Sequence, residues 1–140
     1  MRTIQLRTFG GSFKFDGYYF FILNKGLNSG KPLKKACPNC FICQASTPEE
    51  LQHLYWLSFS LWYGKAYHPY LKGSVIPFLT IDHLHEVLSQ AYNRSRLQPQ
   101  ELAKSIEAFQ KLEKLEQQYE QSLQLIRETK RLYCRRHYLR

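Results

Sequence analysis

Thr47-Pro48-Glu49-Glu50-Leu51-Gln52-His53-Leu54-Tyr55-Trp56-Leu57-Ser58-Phe59-Ser60-Leu61-Trp62-Tyr63-Gly64 is the stretch on which the fold turns. Thr47 is placed to accept a hydrogen bond from a free N–H of a first helical turn. Pro48 fits the first helical position, and Glu50 can reach back as the second half of a capping box. Leu51, Leu54, Tyr55, Leu57, Phe59, Leu61 and Trp62 follow up to Gly64. At about 100° per residue they fill an arc of roughly 200°. An apolar face this wide belongs to a helix at the centre of a core. Ser58 lies inside the arc, where a small residue lets a neighbouring element come close.

The segments before this helix read as strands. Gly17-Tyr18-Tyr19-Phe20-Phe21-Ile22-Leu23 is aromatic and branched and is bounded by Gly17 and Asn24-Lys25-Gly26. Its unbroken apolarity predicts a strand buried on both faces. Thr3–Thr8 reads as a shorter strand before a Gly10-Gly11 turn, and Cys40–Ala45 as a third, mostly buried one. Asn24–Lys35 reads as a loop with Gly26, Gly30 and Pro32 among Lys25, Lys31, Lys34 and Lys35.

Beyond Gly64, Lys65–Leu71 predicts a short helical turn interrupted at Pro69. Gly73–Leu79 is strand-like, and Pro77 places it on an edge or at a bulge. Thr80 or Asp82 can cap a short helix through Leu88. Ser89–Gln98, with Arg94 and Arg96, reads as a polar connector. From Pro99 to about Arg136 there is no further Gly or Pro, and strong helix formers dominate. Leu102, Ile106, Phe109, Leu112, Leu115, Tyr119, Leu123 and Ile126, and after a longer gap Tyr133, recur mostly at steps of three or four, the spacing of a coiled-coil seam. Such a helix is too long for a small domain to cover, so a second copy or a partner helix is expected along it; the other reading is a rod that breaks and folds back. The fold class is therefore α+β: a small mixed sheet on an aromatic-rich helix (residues 1–98), then a long C-terminal coiled-coil-like helix with a basic tail (residues 99–140).

Composition narrows the function. The 140 residues are 44% hydrophobic and 15% aromatic, enough for a core, and carry a formal charge of +9. Residues 1–46 hold seven basic side chains, Arg2, Arg7 and Lys14 among them, against Asp16 alone. Residues 127–140 hold six against Glu128. Basic charge concentrated at both ends favours a polyanionic partner, nucleic acid before an anionic membrane. Met1–Lys14 lacks the apolar core of a secretory signal, and Gly17–Leu23 is too short to span a bilayer. A cytosolic protein is expected, with Cys37, Cys40, Cys43 and Cys134 not paired as disulfides.

Three motifs invite chemistry. Cys37-Pro38-Asn39-Cys40-Phe41-Ile42-Cys43 has Cys-x-x-Cys spacing, but structural zinc takes four ligands and only the distant Cys134 remains. The run also resembles the start of a bacterial ferredoxin cluster motif, but Thr47, already a helix cap, holds the fourth ligand's place. On a strand, residues 40 and 43 face opposite sides. Buried structural cysteines are the expectation, with no metal and no cofactor. Gly26-Leu27-Asn28-Ser29-Gly30-Lys31 is one residue short of a P-loop, and Pro32 stands where a magnesium-holding hydroxyl belongs. His83 and His85 on a helix do not share a face. Ser58 and Ser60 sit inside a helix and Ser74 lacks a nucleophile elbow, so no catalytic residue is expected.

The order of signals resembles one half of a type I restriction–modification specificity subunit. The similarity lies in the aromatic helix Leu51–Tyr63, then Tyr70-Leu71-Lys72-Gly73-Ser74-Val75-Ile76-Pro77-Phe78-Leu79-Thr80-Ile81-Asp82-His83-Leu84, then the long helix in the place of that family's spacer. The resemblance implies a target-recognition domain, double-stranded DNA as partner, no enzymatic activity and a homodimer formed through the helix. Gly30-Lys31-Pro32-Leu33-Lys34-Lys35-Ala36-Cys37-Pro38-Asn39-Cys40-Phe41 with Gly73–Phe78 also resembles an uncharacterised family of short bacterial proteins carried on mobile elements. On the DNA reading, Lys25, Lys31, Lys34 and Lys35 meet phosphates, Arg94 and Arg96 are second candidates, and Asn24 and Asn28 read bases. The alternative is a protein-interaction adaptor that uses the long helix and has no nucleic-acid role.

Overall fold

A computed structural model describes residues 4–11 and 16–138; Arg2, Thr3 and Lys14 lie outside the described residues. The residues up to Pro99 and those from Gln100 onward form two separate compact units.

In the first unit, strands β1 (Gln5–Thr8), β2 (Tyr18–Leu23), β3 (Pro32–Leu33) and β4 (Cys40–Ala45) form one sheet in the order β1-β4-β2-β3. Every pairing is antiparallel, with Phe21 opposite Ile42 and Ile22 opposite Phe41 at the centre. The sequence reading expected a mixed sheet. Only loops join these strands, and a parallel pair needs a crossover of a dozen residues or more. The loop expected over Asn24–Lys35 also contributes β3, which pairs with Phe21 and Ile22.

The central strands β2 and β4 are buried on both faces, as the apolar run predicted for β2, while β1 is mostly exposed. One face presents Phe20, Ile22, Phe41 and Cys43, and the Phe20 ring meets Tyr55 of helix α1 (Pro48–Tyr63) edge-on at 5.5 Å. The other face carries Phe21, Cys40 and Ile42, covered by Phe9, Tyr19, Leu33 and Cys37. Phe9 and Tyr19 both pack edge-on against Phe21, in the geometry aromatic pairs prefer.

Helix α1 begins as its sequence predicts. The Thr47 hydroxyl accepts from the Glu50 N–H at 3.1 Å, with Pro48 in the first turn. The Glu50 carboxylate reaches back one residue further than the usual box, accepting from the Ser46 N–H at 2.7 Å. Leu54, Leu57 and Ser58 are its buried residues; the Ser58 hydroxyl has no hydrogen-bond partner among the described residues, so its role there is its small size.

Helix α2 runs from Ile81 to Leu97, capped by Thr80. The polar connector expected over Ser89–Gln98 is thus mostly helix. Leu84, Leu88 and Tyr92, spaced by four, are its buried face and carry the helix past Leu88. The strand expected over Gly73–Leu79 is absent. Lys72 and Phe78 form an isolated bridge, while Gly73 at φ +98° and Pro77, which lacks an N–H, make the residues between them a tip. A 3-10 turn, His68–Tyr70, includes Pro69 instead of breaking there.

The second unit is helix α3 (Pro99–Tyr138), unbroken for 40 residues, about 60 Å at 1.5 Å per residue. None of its described residues is buried. Leu112, Leu115, Tyr119, Leu123, Ile126 and Tyr133 of the expected seam are exposed, and Leu102, Ile106 and Phe109 are half-buried.

Two glycines of the β2–β3 loop provide a test. Gly30, at φ +100°, lies so close to Tyr67 that a Cβ would sit 2.2 Å from a ring carbon, whereas Gly26, at φ +96°, has nothing within 4 Å. Gly26→Ala should cost about 1 kcal/mol, the backbone term alone, and Gly30→Ala roughly 3 kcal/mol or more once overpacking is added. Urea denaturation measures both; equal losses would contradict the Tyr67 contact.

Candidate nucleic-acid interface

The β2–β3 loop is held shut by its own backbone. The Gly30 N–H donates to the Leu23 carbonyl at 2.7 Å, and the buried Ser29 hydroxyl donates to the Gly26 carbonyl at 2.6 Å. The Tyr67 ring forms its floor. Burial raises the Tyr67 phenol well above the ordinary tyrosine range, so it stays neutral, and its hydroxyl has no hydrogen-bond partner among the described residues.

A second loop, Lys72–Leu79, is tied to the first. The Gly26 N–H donates to the Pro77 carbonyl at 2.7 Å, the Leu79 N–H donates to Asn24 at 2.9 Å, and Lys25 bridges to Phe78. The two loops therefore form one platform. Lys25, Asn28 and Lys72 are exposed on it, whereas Lys34 and Lys35, also exposed, follow β3 and lie outside both loops. Lys31 is half-buried, its ammonium 5.1 Å from the centre of the Trp62 ring, a cation–π contact that holds it at the end of α1. No Asp or Glu occurs between Asp16 and Glu49, or between Glu50 and Asp82, so neither loop carries a compensating carboxylate.

Arg94 and Arg96 are not part of this platform. They lie in the last turn of α2, where Arg96 stacks on Tyr92 at 5.9 Å. Tyr92 donates to the Glu50 carboxylate at 2.8 Å, so the end of α2 meets the start of α1. Lys31 meets the other end of α1. Twelve helical steps take α1 from Glu50 to Trp62, about 18 Å, so Arg96 and Lys31 meet opposite ends of that helix.

The clasp at the α1 start joins residues 42 apart in sequence, and no local signal announces it. The His53 Nε2 lies 2.9 Å from the Ser95 hydroxyl, while that hydroxyl donates to the Tyr92 carbonyl at 2.7 Å. Ser95 thus accepts from His53, the reverse of the direction in which a base would activate a serine. Burial lowers the His53 pKa from its ordinary 6.5; the Glu50 charge pulls it back up and the Arg96 charge adds to the lowering.

The cysteines are set apart by the strand. Cys40 and Cys43 face opposite sides of β4, and Cys40 donates to the Cys37 carbonyl at 3.0 Å. Burial pushes the Cys43 thiol up to about 12, with the Glu50 charge adding to it, and burial also raises Cys40. Both are protonated at neutral pH. Among the described residues, no three His, Cys, Asp or Glu side chains converge as a metal site. His83 is engaged with the Thr80 hydroxyl at 3.1 Å, and His85 with Ser89 at 3.4 Å. No helix among the described residues is long and apolar enough to cross a membrane.

Fold and platform together define a small α+β domain with a basic, doubly looped end, followed by a long helix. The chain belongs to the Family of unknown function (DUF6943), which it matches over residues 6–136. No curated protein and no solved structure matches it. The family match makes no connection to restriction specificity subunits.

The clasp has a pH signature. Because the folded state holds His53 below its unfolded pKa, the unfolded chain binds the extra proton more readily as pH falls through about 6.5, and stability should drop from there toward the folded value. Urea melts between about pH 7.5 and 5.5 should show the slope, and His53→Gln should flatten it. An unchanged slope would place its origin elsewhere.

Proposed function

We propose that this protein is a non-enzymatic DNA-binding module that meets phosphates with Lys25, Lys31, Lys34, Lys35 and Lys72, and that it dimerises through α3. The observation that carries this reading is the acid-free, mutually hydrogen-bonded pair of loops that presents Lys25, Lys31 and Lys72 together; Lys34 and Lys35 are exposed just beyond β3. Backbone groups and ammoniums fixed on a rigid support position a duplex through its phosphates; Asn28, exposed on the same loop, is the candidate for base contact. Arg94 and Arg96, in the last turn of α2 and apart from the loops, are the candidates for a separate phosphate contact. The exposed seam of α3 supports self-association, since apolar ridges of this kind bury themselves against another helix. It equally favours the second reading, an adaptor that offers α3 to a partner protein. A cytosolic location, with reduced thiols, accompanies both.

Retention on duplex DNA titrated with salt tests the first reading. Affinity should fall with salt with a log–log slope of about −4 per protomer. Lys31→Glu, Lys34→Glu and Lys35→Glu together should reduce both the affinity and the slope. Salt-independent binding, or none at low salt, would contradict it. Light scattering tests the seam: about twice the chain mass for the unmodified protein, and a single chain for the double variant Leu115→Lys, Leu123→Lys. A single-chain mass for the unmodified protein would remove the dimer.

A further inference from the structure

The fold leaves an apolar projection on the basic platform that no core residue uses. Val75 is 90% exposed, Ile76 53%, Leu27 68% and Phe78 41%. Val75 and Ile76 form the tip of the second loop, whose neck is closed by two reciprocal backbone hydrogen bonds: Lys72 N–H to Phe78 at 2.9 Å and Phe78 N–H to Lys72 at 2.8 Å. Gly73 allows that closure; its φ is +98°, and a Cβ there would lie 2.7 Å from the Ile76 carbonyl oxygen. The neck is fastened to the first loop through Gly26 and Asn24. Four large apolar side chains on a fastened backbone are therefore held in water, although this domain buries comparable residues elsewhere.

Their surroundings point to one kind of occupant. Lys72 closes the neck, and Lys25 bridges to Phe78 across it; both ammoniums are exposed and no carboxylate occurs in either loop. The complement is a polyanion whose apolar interior lies just behind its charges. We infer that Val75 and Ile76 form a wedge that enters between stacked base pairs of duplex DNA and kinks it, while Lys25 and Lys72 hold the flanking phosphates. Short aliphatic side chains on a rigid turn ending in Pro77 suit this: insertion partly unstacks a base step, and the bend brings more backbone against the basic surface. A bilayer is a poorer match, because two aliphatic residues at a narrow tip bury little area and an anchor of that size binds weakly. The inference rests on the DNA-binding reading above, and its test separates the two.

The full-length protein is titrated onto a duplex of about 25 base pairs carrying a fluorophore at each end, so that energy transfer reports bending. The unmodified protein should raise transfer. Val75→Ser with Ile76→Ser, both at exposed positions outside the core, should abolish the rise and weaken binding about tenfold while the salt slope stays as it was. The lysine-reversal variant should instead reduce the slope. Binding without any change in transfer, or a serine variant that bends DNA as well as the original, would overturn the wedge and leave the DNA-binding reading standing. No binding by the unmodified protein at low salt would overturn both. Flotation with vesicles of phosphatidylserine and phosphatidylcholine is the parallel arm; tip-dependent flotation without DNA bending would also overturn the wedge, moving the tip to a membrane surface.

Discussion

The bare α-carbon of Gly30 rests against the Tyr67 ring, and the basic end of the domain depends on that contact. With no side chain at residue 30, the loop after β2 descends onto the aromatic floor, turns with φ at +100° and returns its N–H to Leu23. The loop thereby presents the Asn24 carbonyl as acceptor and the Gly26 N–H as donor to the 72–79 segment, and the second loop is fastened to the first. Tyr67 itself is fully buried and its phenol stays neutral, so the floor is a hydrophobic one at any ordinary pH. Lys31 leaves the loop over Trp62 and links it to the end of α1. One missing Cβ thus leads, through packing, to a surface on which Lys25, Lys31, Lys72 and an apolar tip share a support.

The opposite end of the helix pair is organised by polar contacts. Glu50 serves two elements at once, accepting from the Ser46 N–H at the start of α1 and from the Tyr92 hydroxyl in α2. His53, Ser95 and Arg96 complete the cluster around Tyr92. A charged carboxylate with two donors is well satisfied, and the cluster fastens the end of α2 to the start of α1. Cys40 and Cys43 are buried on opposite faces of one strand, and burial keeps their protons on.

Much of this architecture is written in local signals. Thr47-Pro48 and Glu50 announce the start of α1, the run from Tyr18 to Leu23 announces a strand with two apolar faces, and the absence of Gly and Pro after Pro99 announces α3. Misreadings arise where a local signal yields to a distant partner. Ser89–Gln98 looks like a connector because Ser, Asn and Arg crowd it; Tyr92 continues the Leu84–Leu88 stripe, and Glu50 meets its hydroxyl across 42 residues. Gly73–Leu79 has strand composition, but among the described residues its backbone hydrogen bonds lie at its neck and toward Asn24 and Gly26. The same composition hides the apolar tip, since Val75 and Ile76 would be ordinary inward residues of a strand. The lysines of the first loop were legible as a group. Their separation from Arg94 and Arg96 was not, because it depends on how α1 and α2 are paired.

The account stands on the claim that the two fastened loops, and not the arginine end of α2, face the ligand. Hydrogen exchange of the full chain with and without duplex DNA, read by mass spectrometry, addresses this directly. Slowed exchange concentrated in residues 24–35 and 72–79, with 92–97 unchanged, is the result the account predicts. Protection confined to 92–97, or an identical pattern with and without DNA under conditions where the complex forms, would contradict it.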